Sequence, residues 1–287
     1  MILKFFRDFL NDRKSIKYQI INDESSFNLA VKKLHSFRRI SLDTEFMWRK
    51  TYFPILSLIQ IKLGSKIFIF DCMKLNNLNP LSEILEDDKI LKIIHSSRSD
   101  SNVLFMSKHI RIKGTFDIQA AENILDKDTE NKSYKSLVEK YCNKTLSKSE
   151  TSSDWSIRPL SREQLDYASL DVIFLENIFK KQTKLLKNIN QVDKVFNMSE
   201  NLTKSGQKDD IDLRLNRYIN KHPSVTRLEK NIFIWREKLA QELNIPPSQI
   251  IEENKIKSFR KYTLFDDLQY LFKKDEYFDE LKHYLEK

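Results

Sequence analysis

Along the first two thirds of the chain the apolar positions switch between a period of two and a period of about 3.6, and each switch marks a predicted element. Tyr18 to Ile21 reads as a short strand. Behind Asp23 and Ser25, either of which can cap a helix, Phe27, Ala30, Val31 and Leu34 recur at helical spacing. Three β-rich runs follow, Arg39 to Phe46, Ile55 to Leu63 and Lys66 to Asp71, and the Gly64-Ser65 pair between the last two is a hairpin signal. Together they predict an antiparallel meander. Leu91 to Ile94 adds a further strand, and helical patterns then cover Ser101 to Ser107, Asp117 to Leu125, Tyr134 to Tyr141, and one long run from Ser161 to Lys187. A sheet with helices returning over it is an α/β domain, predicted over residues 1–187.

Between Asn188 and Asp212 the periodicity fades and Asn, Ser, Lys and Asp accumulate around Ser205-Gly206, so a linker is predicted over residues 188–214. Beyond it the pattern is helical only. Leu228, Ile232, Trp235, Leu239 and Leu243 mark one apolar face that stops before Pro246-Pro247, and two short helices follow. Residues 215–287 therefore read as a small all-α domain.

Composition removes several classes of function. Of the 287 residues only three are glycine, at Gly64, Gly114 and Gly206, so neither a GxGxxG turn nor a GxxxxGK[ST] phosphate loop can be built. Cys72 and Cys142 form no CxxC pair and the five histidines no HExxH, which argues against a zinc site and a disulfide scaffold. The net charge of +9 falls almost entirely before Asn188, a modest bias toward polyanions. Lys4, Arg7 and Asp8 interrupt what would be an apolar signal core, and no run approaches the roughly 20 apolar residues of a membrane span. The expectation is a soluble, cytoplasmic protein.

Three acidic motifs carry the candidate chemistry. In Ser41-Leu42-Asp43-Thr44-Glu45-Phe46, strand alternation aims Asp43 and Glu45 at one face. Acids so placed repel unless a cation or a proton offsets them, so the pair is either a metal site or a strand end reaching solvent. Asp100, in His95-Ser96-Ser97-Arg98-Ser99-Asp100, opens a helix and serves either as its cap or as a ligand. Tyr167 and Asp171 are four apart on a periodic helix, hence on one face, which also suits a half-buried tyrosine beside a solvated acid.

Taken in order, these blocks resemble the ribonuclease D group of the DEDDy exonucleases, related to the proofreading domain of DNA polymerase I. The resemblance runs through LDTEF, TYFPILSLIQI, IIHSSRSDSNVLF, FDIQAAENIL, LSKSETSSDW and RPLSREQLDYASLD. NIFIWREKLAQELNIPPSQII is similar to the helical HRDC module that follows the nuclease in that group. The resemblance implies a ribonuclease H-like 3′-5′ exonuclease domain, a mixed sheet flanked by helices, followed by an HRDC-like domain. It implies hydrolysis from the 3′ end releasing nucleoside 5′-monophosphates, with Asp43, Glu45, Asp100, Tyr167 and Asp171 as the catalytic set.

Four carboxylates without histidine favour two hard divalent cations, Mg²⁺ or Mn²⁺, with Asp43 between them, Glu45 and Asp171 completing one site and Asp100 the other. Tyr167, as a neutral phenol, is expected to orient water. Phe46 and Met47 are candidates for stacking on the terminal base, with core packing the alternative for Phe46. His95 either contacts the terminal ribose or caps the helix. Arg158 and Lys135 are candidate phosphate contacts, and Asp154-Trp155 a loop-ordering element. The expected partner is RNA with a free 3′ end, transfer RNA precursors above all, with no membrane and no obligatory protein partner. A DNA 3′ exonuclease and a non-catalytic nucleic-acid adaptor are the alternatives. Because every catalytic position precedes Asn188, the sequence also predicts that a chain ending there still cleaves short strands.

Overall fold

A computed structural model describes residues 16–48, 50–127, 132–146, 153–208, 211–260 and 265–286. The amino-terminal run Met1 to Leu10 and residues 147–152 of the LSKSETSSDW block lie outside them. The chain forms two units. One holds residues up to Met47 and Ile55–Lys208, the other Trp48–Pro54 and Asp209–Lys287.

The first unit is built on six strands, β1 (Tyr18–Ile21), β2 (Arg39–Met47), β3 (Ile55–Leu63), β4 (Lys66–Asp71), β5 (Leu91–Ile94) and β6 (Thr115–Asp117), in the order β1-β4-β3-β2-β5-β6. The central strands β2, β3 and β4 pair antiparallel, as the Gly64 hairpin requires, while β1, β5 and β6 add in parallel. Alternation along the strands feeds two apolar layers. Ile40, Leu42, Ile59, Ile61, Phe68 and Phe70 face α1 (Glu24–Leu34), α2 (Asn79–Glu86) and α3 (Ser97–Lys108). Leu58, Ile67, Ile69 and Ile93 face α4 (Ile118–Leu125), α5 (Tyr134–Cys142), α6 (Arg162–Ile173) and α7 (Leu175–Asn188). Helices on both faces of a mixed sheet bury β2 at its centre.

The predicted linker is largely a helix. Val192–Gly206 forms α8, which belongs to the first unit. Its inward face runs from Val195, fully buried in the apolar layer beneath α6, to Ser199, Thr203 and Gly206. Val192, Val195 and Phe196 do recur at helical spacing, but the Asn, Ser, Lys and Gly around them read as a loop. Past Val195 the face works by hydrogen bonds and close approach. Ser199 Oγ accepts the Asp117 amide at 2.9 Å, Ser101 Oγ donates to the Thr203 carbonyl at 2.8 Å, and the Thr115 and Thr203 hydroxyls meet at 2.9 Å. At Gly206, read as a loop signal, α8 meets α3 backbone to backbone: a Cβ would collide with the Arg98 carbonyl, and the Gly206 carbonyl accepts from Asn102 Nδ2 at 2.9 Å. Two further elements, α2 and the three-residue β6, also lie where no pattern was read.

The second unit contains α9 (Ile211–Lys221), α10 (Arg227–Leu243), short 3₁₀ turns and α11 (Asp275–Glu286). A capping box formed by Thr226 and Glu229 starts α10, and Asn244 in the left-handed region ends it before Pro246-Pro247. Its core gathers Ile232, Phe233, Trp235 and Leu239 with Ile250, Ile251 and Phe278. Tyr52, from the segment joining β2 to β3, is also in that core. Its hydroxyl donates to Glu237 Oε2 at 3.2 Å, and the Arg214 guanidinium lies 4.3 Å from its ring centre. Glu237 is buried with Arg214 and Arg236 as partners at 3.0 and 2.7 Å, so its charge is compensated. No helix among the described residues is long and apolar enough to cross a membrane.

Candidate active site

The pleat of β2 turns Asp43 and Glu45 away from Ile40 and Leu42, onto the face covered by α6. Just beyond Glu45 the ladder slips. Glu45 pairs with Leu58 but Phe46 with Leu56, leaving Ser57 as the extra residue of a bulge. Asp171 arrives from the last turn of α6, and carboxylate oxygens of Asp43, Glu45 and Asp171 all lie within 4.8 Å of one another. All three side chains remain partly open to solvent.

Asp100 reaches the group from the first turn of α3, where it is buried and accepts the Thr44 hydroxyl at 2.6 Å. It does not cap that helix. The fully buried Asp117 does so, accepting the amides of Ser96 at 3.1 Å and Ser97 at 2.7 Å, while also capping α4 through the Gln119 amide at 2.8 Å. One carboxylate thus fixes the starts of two helices and the placement of Asp100. The sequence reading missed this role of Asp117 because β6, which delivers it, is only three residues long.

Burial is the largest influence on each of the four acids and pushes all of them up: Asp100 and Asp171 to about 7, Asp43 and Glu45 well above the ordinary carboxylate range. The charges of Asp100 and Asp171 raise Asp43 and Glu45 further, and no basic side chain is among the main influences on any of the four. The Tyr167 hydroxyl, hydrogen-bonded to Asp171, pulls in the other direction. Opposite Asp43 on β3 stands Gln60, fully buried, with neither amide atom hydrogen-bonded within the described residues. A set of oxygen donors that lacks its counter-charge fits a hard divalent cation, held by Asp43, Glu45 and Asp171.

The family model described as 3′-5′ exonuclease matches residues 18–187, the stretch that carries all of these carboxylates. The chain belongs to the 3′-5′ exonuclease family. The chain is 28% identical to ribonuclease D of Nitrobacter hamburgensis over 229 residues, which is 78% of this chain and 59% of that protein. The chain spans about six tenths of the length of the curated relatives it matches first. Among solved structures, Escherichia coli RNase D, described as an exoribonuclease involved in structured RNA processing, superposes with a TM-score of 0.82 at 25% identity, covering 94% of this chain and 73% of that one. The catalytic core of RRP6 from Trypanosoma brucei shares the fold, with a TM-score of 0.72 at 21% identity over 95% and 79% of the two chains.

The other positions singled out in the sequence have varied surroundings. Trp155 is buried 6.1 Å from the Tyr167 ring, its amide donates to Met47 Sδ at 3.3 Å, and its carbonyl accepts the bulged Ser57 hydroxyl at 2.5 Å. The loop thus supports Tyr167 and Met47, a role the sequence had suggested for Asp154-Trp155. Phe46 is half-buried against the layer beneath α1 to α3, and Met47 against the layer beneath α6. His95 is also half-buried, its Nε2 is 3.0 Å from the Lys132 carbonyl, and burial holds its pKa below the usual value. It is not the cap of α3.

Arg158 requires a correction. Its Nε and one terminal nitrogen clasp Asp71 at 2.7 and 2.8 Å, and its other hydrogens go to Ser57 Oγ and to the Trp155 and Ile157 carbonyls. All five donors are engaged, so none is left for a phosphate. A lone arginine in sequence gives no hint of such a partner set, because Asp71 is supplied by the end of β4.

The raised carboxylates make a signed prediction. A folded state that keeps protons to higher pH than the unfolded chain loses stability as pH rises from about 4 to about 7, as these acids are forced to ionise together. A bound divalent cation offsets that repulsion. The rise in melting temperature caused by Mg²⁺ or Mn²⁺ should therefore be small near about pH 5 and large near about pH 8. Thermal melts with and without the cation across that range check it, and a shift independent of pH rejects the site as the place of binding.

Proposed function

We propose that the chain is a metal-dependent 3′-5′ exoribonuclease that releases nucleoside 5′-monophosphates. The convergence of Asp43 and Glu45 from β2, Asp100 from α3 and Asp171 from α6, with no basic side chain among the main influences on them within the described residues, carries this reading. Two divalent cations, Mg²⁺ or Mn²⁺, would supply charge neutralisation on the attacking and leaving oxygens of an in-line displacement. Asp43 would serve both, Glu45 and Asp171 one of them, and Asp100 the other.

The Tyr167 hydroxyl, which donates rather than accepts in its hydrogen bond to the Asp171 carboxylate, would direct a water toward the scissile phosphate rather than remove its proton. Its hydrogen bond to Asp171 and its packing on Trp155 fix the hydroxyl for that task. Met47, Phe46 and His95 are the proposed contacts for the terminal nucleotide. By likeness to the E. coli enzyme, the proposed substrate is structured RNA with a 3′ extension, such as a transfer RNA precursor.

Digestion of matched RNA and DNA strands, labelled at the 5′ or the 3′ end, tests the proposal. A 5′-labelled RNA should shorten in single-nucleotide steps and a 3′-labelled one should release labelled mononucleotide at once, both only with divalent cation present. Internal cuts, or preference for DNA, refute it. Tyr167→Phe should slow the single-turnover rate by about 10- to 100-fold without changing the cation concentration required, since the ring and the four carboxylates remain. An unchanged rate reduces Tyr167 to packing.

A further inference from the structure

The run from Ser161 to Lys187 contains neither proline nor glycine and is predicted as one helix, yet it breaks at Phe174, three residues after Asp171. In an unbroken helix the Leu170 carbonyl would accept the Phe174 amide. Here the Tyr134 hydroxyl stands between them: it donates to the Leu170 carbonyl at 3.0 Å and accepts the Phe174 amide at 3.3 Å. A side chain inserted into the hydrogen-bond ladder is a sufficient cause for a break where the sequence has no breaker. Both backbone groups keep a partner, so the break leaves no unsatisfied polar atom.

Leu170 is the residue before Asp171, and the interrupted bond belongs to the turn that presents the Asp171 carboxylate to Asp43 and Glu45. We propose that Tyr134 is a positioning residue for divalent-cation binding, its hydroxyl holding open the last turn of α6 so that Asp171 joins Asp43 and Glu45. The proposal rests on the reading of those carboxylates as a metal site. Burial, with the charges of Asp171 and Asp43 nearby, holds the phenol far above its ordinary pKa, so it remains a donor at any working pH. The ring lies 5.8 Å from His95 and packs in the layer beneath α6, contacts that phenylalanine would keep.

Tyr134→Phe in the full chain tests the hydroxyl alone. Mn²⁺ titrated against melting temperature should half-saturate at about tenfold higher concentration than in the unsubstituted protein, as when a group supporting a metal ligand is lost. The metal-free melting temperature should barely move. Turnover on a short oligonucleotide should show the same displaced Mn²⁺ dependence and recover at saturating Mn²⁺ with KM for the strand unchanged. Tyr134→Leu, which also removes the ring, measures packing. If Tyr134→Phe lowers the metal-free melting temperature as much as Tyr134→Leu does, or leaves Mn²⁺ half-saturation within about twofold, the positioning role is wrong. The unsubstituted protein separates the two readings: absence there of both Mn²⁺ stabilisation and cleavage would reject the metal site itself, whereas normal behaviour there with an unaltered Tyr134→Phe rejects only the role of Tyr134.

Discussion

Asp43→Asn and Asp171→Asn should each abolish hydrolysis while making the metal-free protein harder to melt. Asparagine keeps the size and most of the packing but cannot contribute the negative charge a hard cation requires. Loss of one ligand from such a site should lower the single-turnover rate by about a thousandfold or more, equivalent to about 4 kcal/mol of transition-state stabilisation. The opposite sign on stability follows from the same charges. Each of these acids is raised by burial and by its acidic neighbours, so at neutral pH ionised carboxylates are a burden on the folded state until a cation arrives. Removing one relieves the others. Single-turnover assays beside thermal melts in chelator test both halves: a variant that retains turnover rejects the assignment, and one that loses turnover only because it melts earlier shows that the residue is structural.

Periodicity showed which acids share a face but left a metal site and a solvated pair both open, and it said nothing of Asp100. The family resemblance is what joined the three motifs into one site. Asp43 and Glu45 sit two apart on a strand, and Tyr167 and Asp171 four apart on a helix, so their faces follow from the backbone alone. What joins the motifs is long-range and polar, and left no period to read. The capping of α3 by Asp117, the clasp of Arg158 on Asp71 and the insertion of Tyr134 into α6 each pair residues at least twenty positions apart through hydrogen bonds. The helix α8 was missed for a related reason. Only its first turns are anchored by apolar side chains, Val195 and Phe196, while the rest of its buried face is serine, threonine and glycine, the composition that ordinarily signals a loop. There its partners on α3 and β6 offer matching donors, acceptors and room.

A chain ending at Lys187 should therefore fail to fold as a stable nuclease, contrary to the modular expectation drawn from the positions of the catalytic residues. Removing α8 strips the Asp117 amide of its Ser199 partner, the Thr115 hydroxyl of Thr203 and the Phe116 ring of its edge contact with Phe196 at a centroid distance of 5.4 Å. Asp117 is the residue that caps α3 below Asp100, so the damage is next to the carboxylates. A chain ending at Lys208 keeps those contacts but still loses α9 and α10, the elements that bury Tyr52. Only 1% of Tyr52 is exposed, and without Glu237, Arg214 and the surrounding core it and Phe53 would be released into water. Burial of an aromatic ring of that size is worth about 3 kcal/mol or more, a large part of the stability of an ordinary domain. That segment continues directly from Met47, so its loss of order begins at the end of the strand that carries Asp43 and Glu45. The expected series is aggregation for the shorter chain, and for the longer one a folded protein with a lowered melting temperature and impaired turnover even on short unstructured strands. Size-exclusion profiles, melts and kcat/KM on a short oligonucleotide measure this, and full activity in the chain ending at Lys187 would show that neither α8 nor the Tyr52 anchor supports the site.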